Sequence, residues 1–470
     1  MNDSIFKGNY KSSDIMFVDD TERIFCYSDF IDLKIFLADI IEPRSLTLII
    51  CDSSIDAISI YLAHLENKVV PILVSSNLKW EYIVDICKSY RPQFIIGPKK
   101  ILEKKFKEGK TIFSYYVVNI NKEKVVLYDD LALLLLTSGS IGGAKSVRIS
   151  YENLYVNTKQ ILAYLPITKS EKPLLSLPME YTYGMSIINT HFMTGATMYI
   201  SSYKFFNRNY WLFFNKNNCT SFAGVPYSYE TLDTFHFFND RKMPSLHYMT
   251  QAGGKLNGRI KRKVTQFCEK NNADFYVMYG QTEATSRISY LPPSLLSQKI
   301  ESIGRPVANG KIDVINEEGK IIDECFKIGE LIYSGRNVSL GYAKSYKDLK
   351  KERENNYQLR TGDLGYFDKE GCFYITGRKS RIVKISGYRY ELDEIEYKIQ
   401  KQVNIECKVM EKEEHIYVFF DKNEYRKIIK KVIENDLNIP EEIISFIYLK
   451  EIPRGENGKV LYSELKKLIY

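Results

Sequence analysis

A chain of 470 residues that is 44% apolar and 26% charged has the composition of an ordinary globular protein with room for several domains. No segment approaches the roughly 18 uninterrupted apolar residues of a membrane span, and the opening MNDSIFKGNYKSSDIMF lacks the apolar stretch of a secretory leader, so neither feature is expected. The net charge of +8 lies outside the segment from Arg381 onward, where bases and acids cancel, and its lysines are interspersed with acids, which reads as solvated surface and argues against a nucleic-acid partner.

The 8 cysteines are scattered singly with no C-x-x-C pair, so neither a zinc site nor a disulfide framework is expected, and reduced thiols point to a cytoplasmic location. Short apolar runs at Thr47 to Ile50, Val69 to Val74 and Phe94 to Ile96 alternate with helical spacing over Asp56 to Glu66 and Trp80 to Ser89. That alternation predicts an α/β sheet. Leu131 to Leu136 reads as a fully buried strand. It runs into a loop of Thr137, Ser138, Gly139, Ser140, Ile141, Gly142, Gly143, Ala144 and Lys145. Hydroxyls, glycine-freed backbone N–H groups and one cation are what a polyphosphate needs. Val147 to Ile149 then predicts a second strand, and Ser150 an N-cap for a helix through about Leu162.

Three readings of this loop compete. The P-loop pattern GxxxxGK(S/T) nearly fits Gly139 to Ser146, but Ala144 stands at its second glycine and a strand, not a helix, follows. A strand–loop–strand hairpin gripping ATP phosphates is the second. A plain Gly/Ser turn between core strands is the third.

Further along, 174–200 predicts strand, aromatic loop, helix to about Met193 and strand Thr197 to Ile200. Gly224 to Tyr227 and Gln251 to Leu256 read as turn-rich loops, the second followed by a basic helix near Arg259 to Asn271. Phe275 to Met278 feeds Tyr279-Gly280-Gln281-Thr282-Glu283. From Ile303 the texture becomes short β runs between Gly and Asp turns, a small and largely antiparallel subdomain. Past Arg378 a mixed pattern predicts a strand at Ile382 to Ile385, a helix at Glu391 to Lys401, strands at Lys408 to Met410 and Ile416 to Phe420, and a helix at Glu424 to Asn435.

TSGSIGGAK resembles the phosphate-loop signature TSGSTGxPK of the adenylate-forming superfamily: acyl-CoA synthetases, peptide-synthetase adenylation domains and luciferases. Further stretches match that superfamily in order: YGQTE (279–283), GELIYSGRNVSLGY (329–342), the run from Arg360 to Glu396, and IPRGENGKV (452–460). The resemblance implies a multi-subdomain α/β AMP-binding body over 1–379 and a small mobile α+β lid over 380–470. It implies ATP contacts from Thr137, Ser138, Gly139, Ser140, Gly142, Lys145, Gly253, Gly254, Tyr279, Gly280, Asp363 and Arg378, with the last two on the ribose. Thr282 is expected to hold a phosphate or acyl oxygen, Glu283 to ligate Mg²⁺, Lys459 to stabilise the transition state, and Ser380 to act as the hinge. Tyr181, Tyr183, Val225 and Pro226 are candidates for the acyl-pocket wall.

Departures from the pattern are Ile141 for a threonine and Ala144 for a proline in the phosphate loop, Ser380 for an acidic or lysine hinge, and Tyr462 for an arginine. Amino-acid-activating relatives place an Asp after the position of Tyr181, where this chain has Thr182, which disfavours an ammonium-bearing substrate. The expected activity is conversion of a carboxylic acid and ATP to acyl-AMP and pyrophosphate, then acyl transfer to coenzyme A or to the phosphopantetheine of a separate carrier protein. A free-standing amino-acid adenylation protein and a non-catalytic nucleotide-binding relative are the alternatives.

Overall fold

The computed structural model describes residues 6, 8, 10–136, 145–385, 388–403, 405–433, 439–455 and 458–469. By contacts the chain divides into two units, one of residues 1–300, 306–311 and 334–359, the other of 301–305, 312–333 and 360–470.

The first unit is α/β. The expected strands appear as Leu46–Cys51, Val70–Ser75, Phe94–Pro98 and Leu131–Leu136, all parallel, at the centre of an eight-stranded sheet. Their continuous Val, Ile and Leu runs fit a parallel sheet covered on both faces. Leu48 and Ile50 pack into one apolar cluster and Ile49 into another, as the two-residue period of a strand requires. Ser146–Ser150 returns antiparallel to Leu131–Leu136, so the loop between them does join two strands. Ser150 caps the helix Tyr151–Leu162 as expected: its Oγ accepts from the Asn153 N–H at 3.1 Å, and Asn153 Oδ1 accepts from the Ser150 N–H at 3.0 Å. A second sheet holds Ser221–Gly224, Tyr248–Gln251 and Asp274–Tyr279 in parallel, with Ser289–Leu291 antiparallel beside them.

Arg148 fixes one edge of the large sheet. It is fully buried, and its guanidinium donates to the carbonyls of Leu340, Lys351 and Glu352 and pairs with Glu354 at 3.0 Å. It thereby holds Gly341–Ala343 against Ser146–Ser150, with Tyr342 opposite Val147.

In the second unit Gly329–Ser334, Gln358–Phe367 and Phe373–Arg378 belong to a four-stranded sheet, the last two antiparallel. A three-stranded sheet of Cys407–Lys412, His415–Phe420 and Ile444–Tyr448 packs with the helix Leu392–Gln402 around Ile395, Ile399, Val409 and Val418. The helix expected over Glu424 to Asn435 begins as one 3₁₀ turn, Asn423–Tyr425, before Arg426–Lys431; its last residues lie outside the described ones. Among the described residues no helix is long and apolar enough to cross a membrane, and all 8 cysteines are free thiols.

Two tests follow from buried polar groups. Arg148→Met removes the donors to three carbonyls, and should cost about 3 kcal/mol of stability by equilibrium urea unfolding. His64 and His191 are buried, with Nδ1 facing the carbonyls of Ile60 at 2.7 Å and Ile187 at 2.8 Å, and burial lowers each pKa to about 4. The unfolded imidazoles bind protons from 6.5 downward while the folded ones do not. The stability gained by neutral burial is therefore complete above pH 6.5 and lost as pH falls toward 4. The urea midpoint should be flat above neutrality and drop across that window, with His64→Gln reducing the drop.

Candidate active site

The loop leaving Asp274–Tyr279 carries most of the expected chemistry of the first unit. Gly280 has no substitute, since a Cβ there would lie 1.7 Å from the Ser286 carbonyl oxygen. Thr282–Ala284 form a single 3₁₀ turn, and Thr285 closes it in the left-handed region at φ 62°. Asn337, fully buried, straps the loop: its Nδ2 donates to the carbonyls of Ala284 at 2.9 Å and Arg287 at 2.8 Å. Thr285 Oγ1 donates to the Asn337 carbonyl at 2.7 Å, and the Ser339 N–H to that of Glu283 at 2.8 Å. The stretches YGQTE and GRNVSLGY are thus one hydrogen-bonded structure.

Glu283 Oε1 accepts from Tyr342 Oη at 2.8 Å, and Lys145 Nζ lies 3.4 Å from the centroid of the same ring. Burial, and then the neighbouring Glu283 carboxylate, raise the Tyr342 phenol pKa, so it stays a donor. Lys145 over the ring and Glu283 at the hydroxyl therefore meet on one tyrosine, to which sequence reasoning gave no role. Tyr279 ends its strand and accepts from Gln281 Nε2 at 3.3 Å. Thr137, Ser138, Gly139, Ser140 and Gly142, with Ile141, Gly143 and Ala144, lie outside the described residues.

The candidate wall residues do converge. Gly253, at φ 89°, would place a Cβ 2.4 Å from Tyr181 Oη and 3.2 Å from Val225, and one on Gly254 would come 3.2 Å from Pro226. The segment read as a loop at Gly224 to Tyr227 is instead a strand end followed by a helix, because Pro226 starts Pro226–Thr234 at a position where its missing N–H costs nothing. Burial pushes the Tyr181 phenol up to about 12, against the pull of the Arg287 cation. Tyr183 is a buried residue more than a surface wall: its Oη shares a hydrogen bond with Thr250 Oγ1 at 2.7 Å, and the Arg287 guanidinium lies 4.4 Å from its ring centroid. Sequence reasoning missed Arg287 because a lone basic residue after a motif carries no local signal.

In the second unit Asp363 and Arg378 sit opposite each other on paired strands, and Arg378 Nε donates to Asp363 Oδ1 at 2.6 Å. Asp363 was expected after a turn, yet Gln358–Phe367 is one strand, with Gly362 alone in the left-handed region at φ 71°. Thr361 Oγ1, bonded to the Leu331 carbonyl at 2.8 Å, accepts from the Asp363 N–H at 3.1 Å. Thr361, Gly362, Arg378, Lys379 and Ser380 line one open cleft. Lys379 pairs with Glu330 at 3.2 Å, whereas Arg381 pairs with Asp393 and, at 2.5 Å, with Glu396. Lys459 follows Gly458, at φ 71°, in a reversal closed by the Gly455 N–H to Lys459 carbonyl bond at 2.8 Å. Arg454 braces it, donating to the Gly458 carbonyl at 2.6 Å and pairing with Glu406 at 2.5 Å. Among the described residues no group of three or more His, Cys, Asp or Glu side chains could hold a metal on its own.

Comparison with known proteins supplies the wider frame. The sequence model of the AMP-binding enzyme family matches residues 36–343. The D-alanine–D-alanyl carrier protein ligase of Bacillus licheniformis is 28% identical over 365 residues, which is 72% of this chain and 71% of that protein. The 2-succinylbenzoate–CoA ligase of Bacillus subtilis is 25% identical over 358 residues, 74% of this chain and 71% of that one. The solved structure of the o-succinylbenzoate coenzyme A synthetase from Bacillus subtilis in complex with ATP and magnesium ion shares the fold, with a TM-score of 0.78 at 20% identity over 97% of both chains. The match across most of its length makes this chain a member of the AMP-binding enzymes, the adenylate-forming superfamily.

Proposed function

We propose that the protein is an AMP-forming acid–thiol ligase. In the first half-reaction a substrate carboxylate oxygen attacks the α-phosphorus of ATP, the bond to the bridging oxygen breaks, and acyl-AMP and pyrophosphate result. In the second a thiol sulfur attacks the acyl carbon and AMP leaves. The thiol belongs to coenzyme A or to the phosphopantetheine arm of a carrier protein. The nucleophile is already ionised, so the chemistry calls for orientation and charge stabilisation and not for a general base.

The observation that carries this reading is the grouping of Lys145, Tyr342 and Glu283 at the exit of the phosphate loop. Magnesium, when bound with ATP, would neutralise phosphate charge. One carboxylate, Glu283, suits it, because Mg²⁺ ordinarily takes one or two protein carboxylates and completes its shell with phosphate oxygens and water. Lys145 and the loop residues Thr137 to Gly142 serve the phosphates, Tyr279 the adenine face, and Thr282 a phosphate or acyl oxygen. Asp363, held by Arg378, accepts from the ribose hydroxyls. Lys459 stabilises charge developing at the carboxylate and the bridging oxygen.

Residues 380–470 act as the lid, turning at Ser380 between the two half-reactions and taking Lys459 away before the thiol arrives. An amino acid is the second reading, since one relative is a D-alanine ligase by name. The cavity beside Tyr183 counts against it: among the described residues no carboxylate lines it to meet an ammonium. Free thiols throughout fit a reducing, cytoplasmic setting.

Lys459→Ala should lower ATP–pyrophosphate exchange at least about 100-fold, while thiolysis of supplied acyl-AMP keeps its rate. Equal loss of both would discredit the two-position role of the lid. Asp363→Asn should raise the KM for ATP about tenfold with little change in kcat, as expected for a lost charge-assisted ribose contact.

A further inference from the structure

Beside Tyr183 lies a small cavity lined in part by Ser186, Thr190, His191, Thr250 and Arg287. Its free volume of about 20 Å³ holds roughly one water molecule. Tyr183 and Val225 belong to a single packed cluster, against which Tyr181 also packs, so the cavity lies against the proposed wall of the acyl pocket.

The cavity contains a charge without its counter-charge. Arg287 is only 3% exposed. Its guanidinium donates to Ser286 Oγ at 2.7 Å, Ser186 Oγ at 3.4 Å and Met278 Sδ at 3.3 Å, and stacks on the Tyr183 ring. All of these partners are neutral. Among the described residues no carboxylate lies within ion-pair distance of it. A guanidinium keeps its proton under all ordinary conditions, so burial cannot be relieved by neutralisation. A buried charge is normally paired, and leaving one unpaired is a standing cost. An apolar acyl tail would leave that charge unpaired. An ammonium would be repelled by Arg287.

We infer that the substrate is a short dicarboxylic acid, whose non-reacting carboxylate pairs with Arg287 while the other is adenylated. The inference rests on the proposed ligase activity and names its substrate class. A carboxylate presents two oxygens to the forked guanidinium, and the side chains around a cavity sized for about one water have to give way to seat it. A cavity this small leaves little room around the second carboxylate, which favours a compact acid.

The test is ATP–pyrophosphate exchange by the full-length protein with oxalate, malonate and succinate. Acetate, propionate and butyrate serve as length-matched monoacids, and a panel of amino, aryl and fatty acids is run beside them. At least one diacid should have a kcat/KM ten or more times that of its monoacid. Arg287→Met should raise the diacid KM at least tenfold and leave the monoacid within about twofold, with Arg287→Lys intermediate. Exchange with monoacids or amino acids but no diacid overturns the inference and leaves the ligase reading standing. So does an equal loss for both classes in Arg287→Met, which would place the arginine on the reacting carboxylate. No exchange with any acid defeats the ligase reading itself. The wild-type panel decides the matter even if the variants do not fold.

Discussion

The side chain of Asn337 organises the first unit's chemistry. One amide nitrogen donates to two carbonyls, those of Ala284 and Arg287, inside a loop that has no regular secondary structure of its own beyond a single turn. A buried irregular loop is otherwise expensive, because its peptide groups find no ladder partners. With the strap in place the loop can face two ways at once. Glu283 goes toward Tyr342 and Lys145, and Arg287 is sent inward onto Tyr183. The acid proposed to bind the metal and a buried cation four positions on are thereby given fixed and different surroundings.

The second unit reaches precision by another route. Asp363 and Arg378 need no strap, because antiparallel pairing puts them opposite each other and their side chains close the remaining gap. Thr361, two residues earlier, bonds the Leu331 carbonyl and in turn receives the Asp363 N–H. Strands hold such pairs more exactly than loops do, since the ladder fixes both partners.

Much of this was legible in the chain. Leu131 to Leu136 is a buried strand with the bounds its apolar run suggested, and Ser150 caps the following helix. The parallel strands were readable because a sheet covered on both faces leaves unbroken aliphatic runs. Motif order carried the family. Elements with mixed faces were harder: Tyr27–Ala38 and Arg208–Lys216 are helices that no expectation covered. Pro226 was read as turn punctuation, although a proline opens a helix as readily as it ends one. Tyr342 and Arg287 escaped notice for a different reason. Their meaning lies in neighbours remote in sequence, Lys145 and Glu283 for one, Tyr183 and Ser186 for the other. No local pattern encodes such meetings.

The ion pairs around Ser380 bear on how freely the chain could turn at this proposed hinge. On one side Lys379 is moored to Glu330, and on the other Arg381 is moored to Asp393 and Glu396. A bond from the Arg378 N–H to Asp393 Oδ2 at 3.0 Å spans the proposed hinge. That carboxylate also serves Arg381, so at the proposed hinge it would act as a catch that a swivel must release.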